Sequence, residues 1–241
     1  MEALILASGV GKRLGKMGKK QPKCMINLSK KIKIIDLIIK ELFSQVSKIY
    51  IVIGYKKKKI IHHLKKLKKI EFIDNKEYLN KGNYFSALLS KKKILDKLIL
   101  LDADIILPKN ALKKFISNKK KNLMMVNPLN EYNDDDIIIN CDKKNLIKRI
   151  SIKKINYNSS QNYSACGVIK MSSSSKKIFY DELEKVHQKK KFNNYYEEAF
   201  LKLFKKKNFF IFPLKRSRLE IDTIKDYKNV KKILKKNNLY V

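Results

Sequence analysis

The chain has 241 residues, of which 44% are hydrophobic, enough for the core of one large domain or of two small ones. Lys and Arg number 57 against 22 Asp and Glu, and the net charge of +35 should attract polyanions such as nucleotides, nucleic acid or acidic membrane surfaces. No stretch reaches the ~20 apolar residues that cross a bilayer, the first apolar run is too short for a signal peptide, and three isolated cysteines indicate a reducing compartment, so we expect a cytoplasmic protein.

The first half of the chain alternates continuous apolar runs with segments of helical period. This pattern predicts βαβ units and a mainly parallel sheet of buried strands. The predicted strands are residues 3–7, 49–53, 70–73 and 98–101. The predicted helices are residues 34–42, 60–67, a segment that begins near Asn83 and runs to 92, and 112–116.

After about residue 123, short strands joined by polar turns predict a partly antiparallel second half. Its predicted elements are strands at 123–126, 137–139, 146–150 and 165–171, helices at 176–189 and 195–204, and short strands at 209–212 and 219–221. Thr223 is the expected cap of a final helix, with Asp226 three residues on in the place usually held by Glu. No repeat or linker divides the chain, so we predict a single α/β domain over 1–241, with helices on both faces of the sheet.

A glycine-rich, cationic loop follows the first predicted strand. Gly9 and Gly11 can adopt backbone angles that aim successive N–H groups at one point, and such a nest binds anionic oxygens. Arg13 offers a planar fork to phosphate oxygens, and Lys23 offers a point charge, although lysine is common throughout this chain. The loop matches neither a Walker A motif nor a dinucleotide-binding fingerprint, and we predict a triphosphate site of another kind.

Two pairs of acidic residues follow predicted strands. Asp102 and Asp104 lie at the carboxyl end of the fourth strand, where open α/β sheets bind ligands. Residues two apart in a strand share a face, so both carboxylates are expected to reach one cation, and Mg²⁺ prefers such oxygen ligands. Glu220 and Asp222 repeat this spacing before the final helix. For both pairs, a turn or helix cap is the alternative.

The chain resembles the nucleotidyltransferases that activate sugar phosphates and phospho-alcohols. Three motifs carry this resemblance in order: Leu6-Ala7-x-Gly9-x-Gly11-x-Arg13 with Pro22-Lys23, Asp102-x-Asp104, and Glu220-Ile221-Asp222-Thr223. The family implies a Rossmann-like nucleotidyltransferase fold, with a nucleotide-binding half at about 1–122 and an acceptor-binding half at about 123–241. The short length and the segment KGNYFSALL (81–89) are most similar to the small cytidylyltransferases, which use CTP and act on phosphocholine, aminoethylphosphonate or inositol phosphate.

The resemblance also implies roles for individual residues. Arg13 and Lys23 would be the catalytic cations, and Asp104 and Asp222 would hold Mg²⁺. The residues implied for nucleotide binding are Leu6, Ala7, Ser8, Gly9, Gly11, Arg13, Lys23, Gly82, Asn83, Ser86 and Asp102. The residues implied for binding a small phosphorylated acceptor are Tyr195, Tyr196, Glu197 and Glu220. Acids and aromatic faces would suit a quaternary or primary ammonium on the acceptor, whereas a sugar would use Asn and Asp.

Two other functions remain open at this point. The first is a sugar-1-phosphate nucleotidylyltransferase that uses UTP, dTTP or GTP. The second is a non-catalytic, basic protein that binds nucleotides or RNA. Lysines spread along the whole chain favour solvated surfaces over a dedicated nucleic-acid surface, and acids beside a phosphate loop bring nothing to a polyanion binder. We therefore expect no specific nucleic-acid partner.

Overall fold

A computed structural model of the chain describes residues 1–128, 137–151, 162–189, 195–236 and 240. Within these residues the strands are β1 (Glu2–Ala7), β2 (Lys48–Ile53), β3 (Ile70–Asp74), β4 (Leu98–Asp102), β5 (Ile105–Ile106), β6 (Leu123–Pro128), β7 (Ile138–Cys141), β8 (Ile147–Ser151), β9 (Asn162–Met171), β10 (Phe210–Pro213) and β11 (Leu219–Glu220). The helices are α1 (Gly15–Lys20), α2 (Ile34–Leu42), α3 (Lys57–Leu64), α4 (Asn83–Leu88), α5 (Ala111–Ser117), α6 (Ser173–Gln188), α7 (Glu197–Lys206) and α8 (Ile224–Lys236).

The central sheet has the strand order β10–β6–β9–β4–β1–β2–β3, and β7 and β8 extend it from β9. Strands β3, β2, β1 and β4 are parallel, as are β10 and β6. The long strand β9 lies between β4 and β6 and runs antiparallel to both. The predicted α/β fold with a mainly parallel sheet is therefore confirmed.

The sheet is covered by helices on both faces, which explains its continuous apolar strands. In β1, Ala3, Ile5 and Ala7 pack into the core formed with α2, α3 and α5. Leu4 packs into the opposite core, formed with α4, α6 and α7. Both faces of the strand are thus buried, and its sequence shows no polar alternation. None of the helices in the described part of the chain has the length and apolar character needed to span a bilayer.

The strand order reverses at β1, which pairs with β2 on one side and with β4 on the other. Leu6 of β1 lies opposite Asp102 of β4, so the loop after β1 and the turn after β4 emerge side by side. Ligands of open α/β sheets bind at the carboxyl ends of the strands, at the point where the strand order reverses. The fold therefore brings the glycine-rich loop beside the first acidic pair.

A third apolar cluster joins the C-terminal segment to this edge of the sheet. It packs Leu14 and Ile26, which flank the basic loop, against Ile106, Ile221 and Val230. β11 pairs antiparallel with β5, and Glu220 lies opposite Ile105. This short two-stranded sheet lies outside the main one, and it places the second acidic pair beside Asp104.

Three local features differ from the prediction. The helix that begins at Asn83 ends at Leu88 rather than at 92, because Ser90 donates its hydroxyl to the Ala87 carbonyl at 2.6 Å and competes with the helical pattern. The basic stretch after Arg13 forms the short helix α1. Strand β5 was not predicted, because a strand of only two residues leaves no periodic signal.

Candidate active site

The loop after β1 turns sharply at Gly11. Gly11 has a φ of 66°, which favours glycine, and an added Cβ would lie 2.9 Å from Cγ of Lys23. The loop bounds a cavity of about 300 Å³, which we call the phosphate cavity. Its lining includes Gly9, Gly11, Lys12, Arg13, Lys23 and Asp104. The structure thus brings the predicted glycines and cations together around one space.

Asp104, Glu220 and Asp222 form an acidic triad at the edge of the phosphate cavity. One carboxylate oxygen from each residue lies within 4.8 Å of the other two. The pairing of β5 with β11 brings Glu220 there, and Asp222 follows two residues later. The backbone N–H groups of Asp222 and Thr223 donate to Asp226 at 3.1 and 2.7 Å, which fixes the turn.

The predicted cap of the final helix is confirmed. The Asp226 N–H donates to the Thr223 hydroxyl at 3.2 Å, while the Asp226 carboxylate accepts from the Thr223 N–H. Thr223 therefore caps the helix and Asp226 completes the capping box, so the carboxylate of Asp222 is not used as the cap. Asp222 is directed to the triad and not to the helix terminus.

Two cations contact the triad. Lys23 donates to Asp104 at 2.8 Å and also to Asp222, and Arg13 donates to Asp222 at 3.1 Å. Burial alone would lower the pKa of Lys23, but the two carboxylates outweigh burial and hold that pKa above its ordinary value. Lys23 therefore stays positively charged throughout the physiological range, at the boundary between the acidic triad and the phosphate cavity.

Asp102 does not belong to the acidic triad that Asp104 forms, although their spacing led us to expect both carboxylates at one cation. Strand β4 ends at Asp102, and residues 103 and 104 form a turn, so the alternation of a strand no longer applies. The Asp102 carboxylate instead accepts a hydrogen bond from the Tyr196 hydroxyl at 3.0 Å, close to Gly167. Burial, reinforced by the nearby Glu197 and Asp104, raises the pKa of Asp102 well above its ordinary value.

A second cavity of about 130 Å³ lies on this other side of Asp102, and we call it the acidic cavity. Its polar lining consists of Asp102, Tyr196, Glu197, Arg218 and Glu220. Arg218 pairs with Glu220 at 2.9 Å. Burial raises the pKa of Glu197 to about 7, although hydrogen bonds from Tyr196 and Asn83 oppose the shift. Glu220 belongs both to this lining and to the acidic triad, so the acidic cavity adjoins the triad at this residue.

The residues predicted to lie near the nucleotide base form a hydrogen-bonded group beside β1. The hydroxyls of Ser8 and Ser86 are 2.8 Å apart, and the Asn75 amide donates to Ser86 at 2.9 Å. Gly82 precedes the first residue of α4, and the Asn83 side chain accepts from the Tyr196 N–H at 2.8 Å. Asn83 thus connects α4 to the acidic cavity. Leu6 and Ala7 line the phosphate cavity.

The predicted acceptor residues are only partly assembled. Tyr196, Glu197 and Glu220 line the acidic cavity, whereas Tyr195 has a relative exposure of 57% and is not among the lining residues. Sequence reasoning missed Arg218, Gly167 and Asn75 as members of this region. A signal existed for Arg218, because it precedes Glu220 by two residues and arginine is scarce in this chain.

A sequence profile for the family described as nucleotidyl transferase matches residues 2–153, well over half of the chain. The chain belongs to the nucleotidyl transferase family. The CTP:phosphoglutamine cytidylyltransferase of Campylobacter jejuni subsp. jejuni serotype O:2 is 34% identical over 134 residues, covering 52% of each chain. The bifunctional protein GlmU of Methanococcus maripaludis is 39% identical over 106 residues, or 44% of this chain and 25% of that protein. The chain spans between a quarter and about half of the length of these curated relatives.

Solved structures confirm the nucleotidyl transferase fold over almost the whole chain. The CTP:phosphocholine cytidylyltransferase of Streptococcus pneumoniae matches with a TM-score of 0.80 at 21% identity, covering 97% of this chain and 98% of that one. A UDP-glucose pyrophosphorylase complexed with UDP-glucose matches with a TM-score of 0.80 at 16% identity, covering 98% of both chains. The same architecture thus occurs in enzymes named for different nucleotides.

Proposed function

We propose that the chain transfers CMP from CTP to a small phosphate or phosphonate acceptor in the presence of Mg²⁺ and releases pyrophosphate. The observation that carries this proposal is the contact between the two halves of the site. Lys23 and Arg13 line the phosphate cavity and at the same time pair with Asp104 and Asp222 of the acidic triad. A triphosphate is bound by cations, and the metal ion that accompanies it is bound by carboxylates. Here the cations and the carboxylates are in direct contact.

The reaction needs no Ser, His or Cys side chain as a general base, because the ionised oxygen of the acceptor phosphate is already a nucleophile. That oxygen attacks the α-phosphorus of CTP, a new oxygen–phosphorus bond forms, and the bond to the β-phosphate breaks. In this proposal the nest at Gly9 and Gly11, with Arg13, binds the β- and γ-phosphates, and Lys23 offsets charge at the α-phosphate. Catalysis then depends on positioning and on charge neutralisation.

The residues of the acidic triad fit Mg²⁺. Asp104, Glu220 and Asp222 provide hard oxygen ligands that converge within 4.8 Å, and Mg²⁺ in nucleotide sites binds to one or two carboxylates together with substrate phosphates. Bound there, Mg²⁺ would neutralise charge on the reacting phosphates. We propose Asp104 and Asp222 as the principal ligands, because both contact Lys23 at the boundary with the phosphate cavity, whereas Glu220 pairs with Arg218 in the lining of the acidic cavity.

Two relatives support CTP as the nucleotide. Besides the Campylobacter jejuni protein, the choline-phosphate cytidylyltransferase of Streptococcus pneumoniae is 32% identical over 111 residues, covering 46% of this chain. In this proposal the hydrogen-bonded side chains of Ser8, Ser86 and Asn75 form a buried wall beside the cytosine base. The second candidate is a sugar-1-phosphate nucleotidylyltransferase using UTP, dTTP or GTP, and it stays open because the GlmU relatives carry no nucleotide in their name.

Pyrophosphate release decides between these functions. Purified protein is given CTP, UTP, dTTP or GTP with Mg²⁺, each combined with phosphocholine, aminoethylphosphonate, inositol phosphate and glucose 1-phosphate. We expect turnover with CTP, a product heavier than the acceptor by one CMP unit, and loss of turnover with EDTA. A preference for another triphosphate selects the second candidate. RNA binding that weakens with salt, without any Mg²⁺-dependent turnover, contradicts both and indicates a non-catalytic polyanion binder.

A matched pair of lysine variants tests the residue assignment. Lys23→Gln should lower kcat/KM by about 10²–10³-fold, the loss typical of one electrostatic group aimed at the transition state. Lys20→Gln removes the same charge from an exposed position in α1 and should leave kcat/KM nearly unchanged. Equal effects of the two variants would show that the site responds only to overall charge.

A further inference from the structure

The acidic cavity contains a buried carboxylate oxygen that has no partner. Glu197 has a relative exposure of 8%, and its Oε2 atom has no hydrogen-bond partner among the described residues. A buried acceptor oxygen without a donor is unfavourable by a few kcal/mol, so proteins rarely leave one. Burial also raises the pKa of Glu197 to about 7, which reflects a negative charge that its surroundings leave uncompensated.

The donors already present near the acidic cavity partly stabilise the Glu197 carboxylate but leave its Oε2 atom without a partner. The Tyr196 hydroxyl donates to Asp102, and the Arg218 guanidinium pairs with Glu220. Three carboxyl groups, those of Asp102, Glu197 and Glu220, therefore face one guanidinium in the lining given by the described residues. The missing partner is a hydrogen-bond donor that also brings positive charge.

The position of the acidic cavity connects it to the proposed reaction. Glu220 belongs to the acidic triad and also lines the acidic cavity. An acceptor whose phosphate reaches the triad would extend its other end past Glu220 into the acidic cavity. The cavity volume of about 130 Å³ suits a short chain of a few heavy atoms rather than a second large group.

We infer that the acidic cavity binds a primary ammonium group at the far end of the acceptor, with Glu197 as its principal partner. This inference rests on the proposed function and narrows its acceptor to aminoalkyl phosphates or phosphonates. An ammonium offers three N–H donors, which satisfy Glu197 and bring the charge that the acidic lining lacks. A neutral hydroxyl would satisfy the oxygen but not the charge.

A quaternary ammonium fits less well than a primary one. It has no N–H to donate, and proteins usually recognise it with several aromatic faces. The described lining contains two aromatic rings, Tyr196 and Phe200. They pack edge-on against each other with centroids 5.5 Å apart, and the Tyr196 hydroxyl is held by Asp102. This arrangement does not form a cage.

Three acceptors of matched length provide the test: 2-aminoethyl phosphate, 2-hydroxyethyl phosphate and phosphocholine, each with CTP and Mg²⁺. Charge-assisted hydrogen bonds predict a kcat/KM for the amino compound about 10- to 100-fold above those of the other two. Glu197→Gln should remove most of that advantage, so that the kcat/KM values of the amino and hydroxyl compounds become similar. Glu198→Gln, the matched control at the next position of α7 and outside the described lining, should change neither.

Several outcomes would overturn the inference. They are a preference for 2-hydroxyethyl phosphate or phosphocholine, turnover confined to sugar phosphates, or an equal loss for all acceptors in Glu197→Gln. If 2-hydroxyethyl phosphate or phosphocholine is preferred, or if only sugar phosphates are turned over, the proposed function stands while the inference fails. If no acceptor is turned over, the proposed function fails, and calorimetry still decides the inference. Wild-type protein must then bind 2-aminoethyl phosphate more tightly than 2-hydroxyethyl phosphate, and Glu197→Gln must lose the difference.

Discussion

Replacing Asp222 by Asn should separate activity from stability. Asp222 contributes to the acidic triad and pairs with Arg13 and Lys23. Asn keeps the size of the side chain and removes one ligand charge. If the triad holds Mg²⁺, kcat/KM should fall by at least about 10³-fold, since a metal ion contributes several kcal/mol to stabilising the transition state.

The effect on folding should be small, because the removed interactions have opposite signs. The triad oxygens lie within 4.8 Å of one another, and two unit charges at that separation repel by about 3 kcal/mol at an effective dielectric constant near 20. Asp222→Asn removes two such repulsions, from Asp104 and Glu220, and removes comparable attractions to Lys23 and Arg13, while Lys23 keeps its 2.8 Å contact with Asp104. We expect the free energy of unfolding to change by less than about 1.5 kcal/mol, or about 5 °C in Tm.

The assay measures pyrophosphate release across a Mg²⁺ titration, together with thermal unfolding of the same samples. Asp181→Asn is the control, because it removes one exposed carboxylate of α6 that pairs with Lys91 at 3.5 Å, away from the site. It should keep both activity and Tm. Turnover within a few-fold of wild type in Asp222→Asn would refute the metal site, and a Tm loss above about 10 °C would refute the charge balance.

Three further predictions concern stability. Gly167→Ala should lower the free energy of unfolding by roughly 2 kcal/mol or more, because Gly167 has a φ of 69° and an added Cβ would lie 2.3 Å from Oδ2 of Asp102. Asp226→Ala should lower it by about 1 kcal/mol, because Asp226 accepts from the N–H groups before α8, and should also weaken the Mg²⁺ dependence of turnover. Glu197→Gln should raise it by up to about 3 kcal/mol at pH 8, because a folded-state pKa of about 7 against an ordinary 4.5 makes ionisation unfavourable to folding, and this gain should vanish below pH 4.5.

Urea unfolding at several pH values measures the three predicted changes in unfolding free energy, and a Mg²⁺ titration of turnover tests the further effect of Asp226→Ala. Gly9→Ala is the control for Gly167→Ala, since no atom lies within 4 Å of its added Cβ, and it should unfold like wild type. An unchanged stability of Gly167→Ala would contradict the close approach to Asp102. Normal Mg²⁺ dependence in Asp226→Ala would mean that the capped turn does not position the triad. A pH-independent effect of Glu197→Gln would contradict the raised pKa.

The parallel half of the fold was predictable because both faces of its strands are buried. Continuous apolar runs marked β1, β2 and β4 to within one or two residues of their observed ends. The order of three motifs along the chain was enough to predict the family, which the match over residues 2–153 confirms. These signals are local in sequence, and a single chain displays them directly.

The arrangement of the acids was less predictable because it depends on pairing between distant segments. The spacing of Asp102 and Asp104 indicates one shared face only if the strand continues, and the turn at residue 103 ends it. Glu220 meets Asp104 through the pairing of β5 with β11, two strands of two residues each. Strands of two residues are too short to show an alternation of apolar and polar residues. The sequence therefore identifies the acidic residues but does not indicate which of them lie together in the fold.

In a chain with 57 basic residues, the basic side chains carry little information about function, whereas the 22 acids carry more. Five of those acids cluster at one edge of the sheet: Asp102, Glu197 and Glu220 line the acidic cavity, and Glu220 forms the acidic triad with Asp104 and Asp222. Gathering like charges in partly buried positions is unfavourable unless a ligand compensates them. A lysine-rich composition does not explain such a cluster, but a metal on one side of it and a cationic acceptor on the other would.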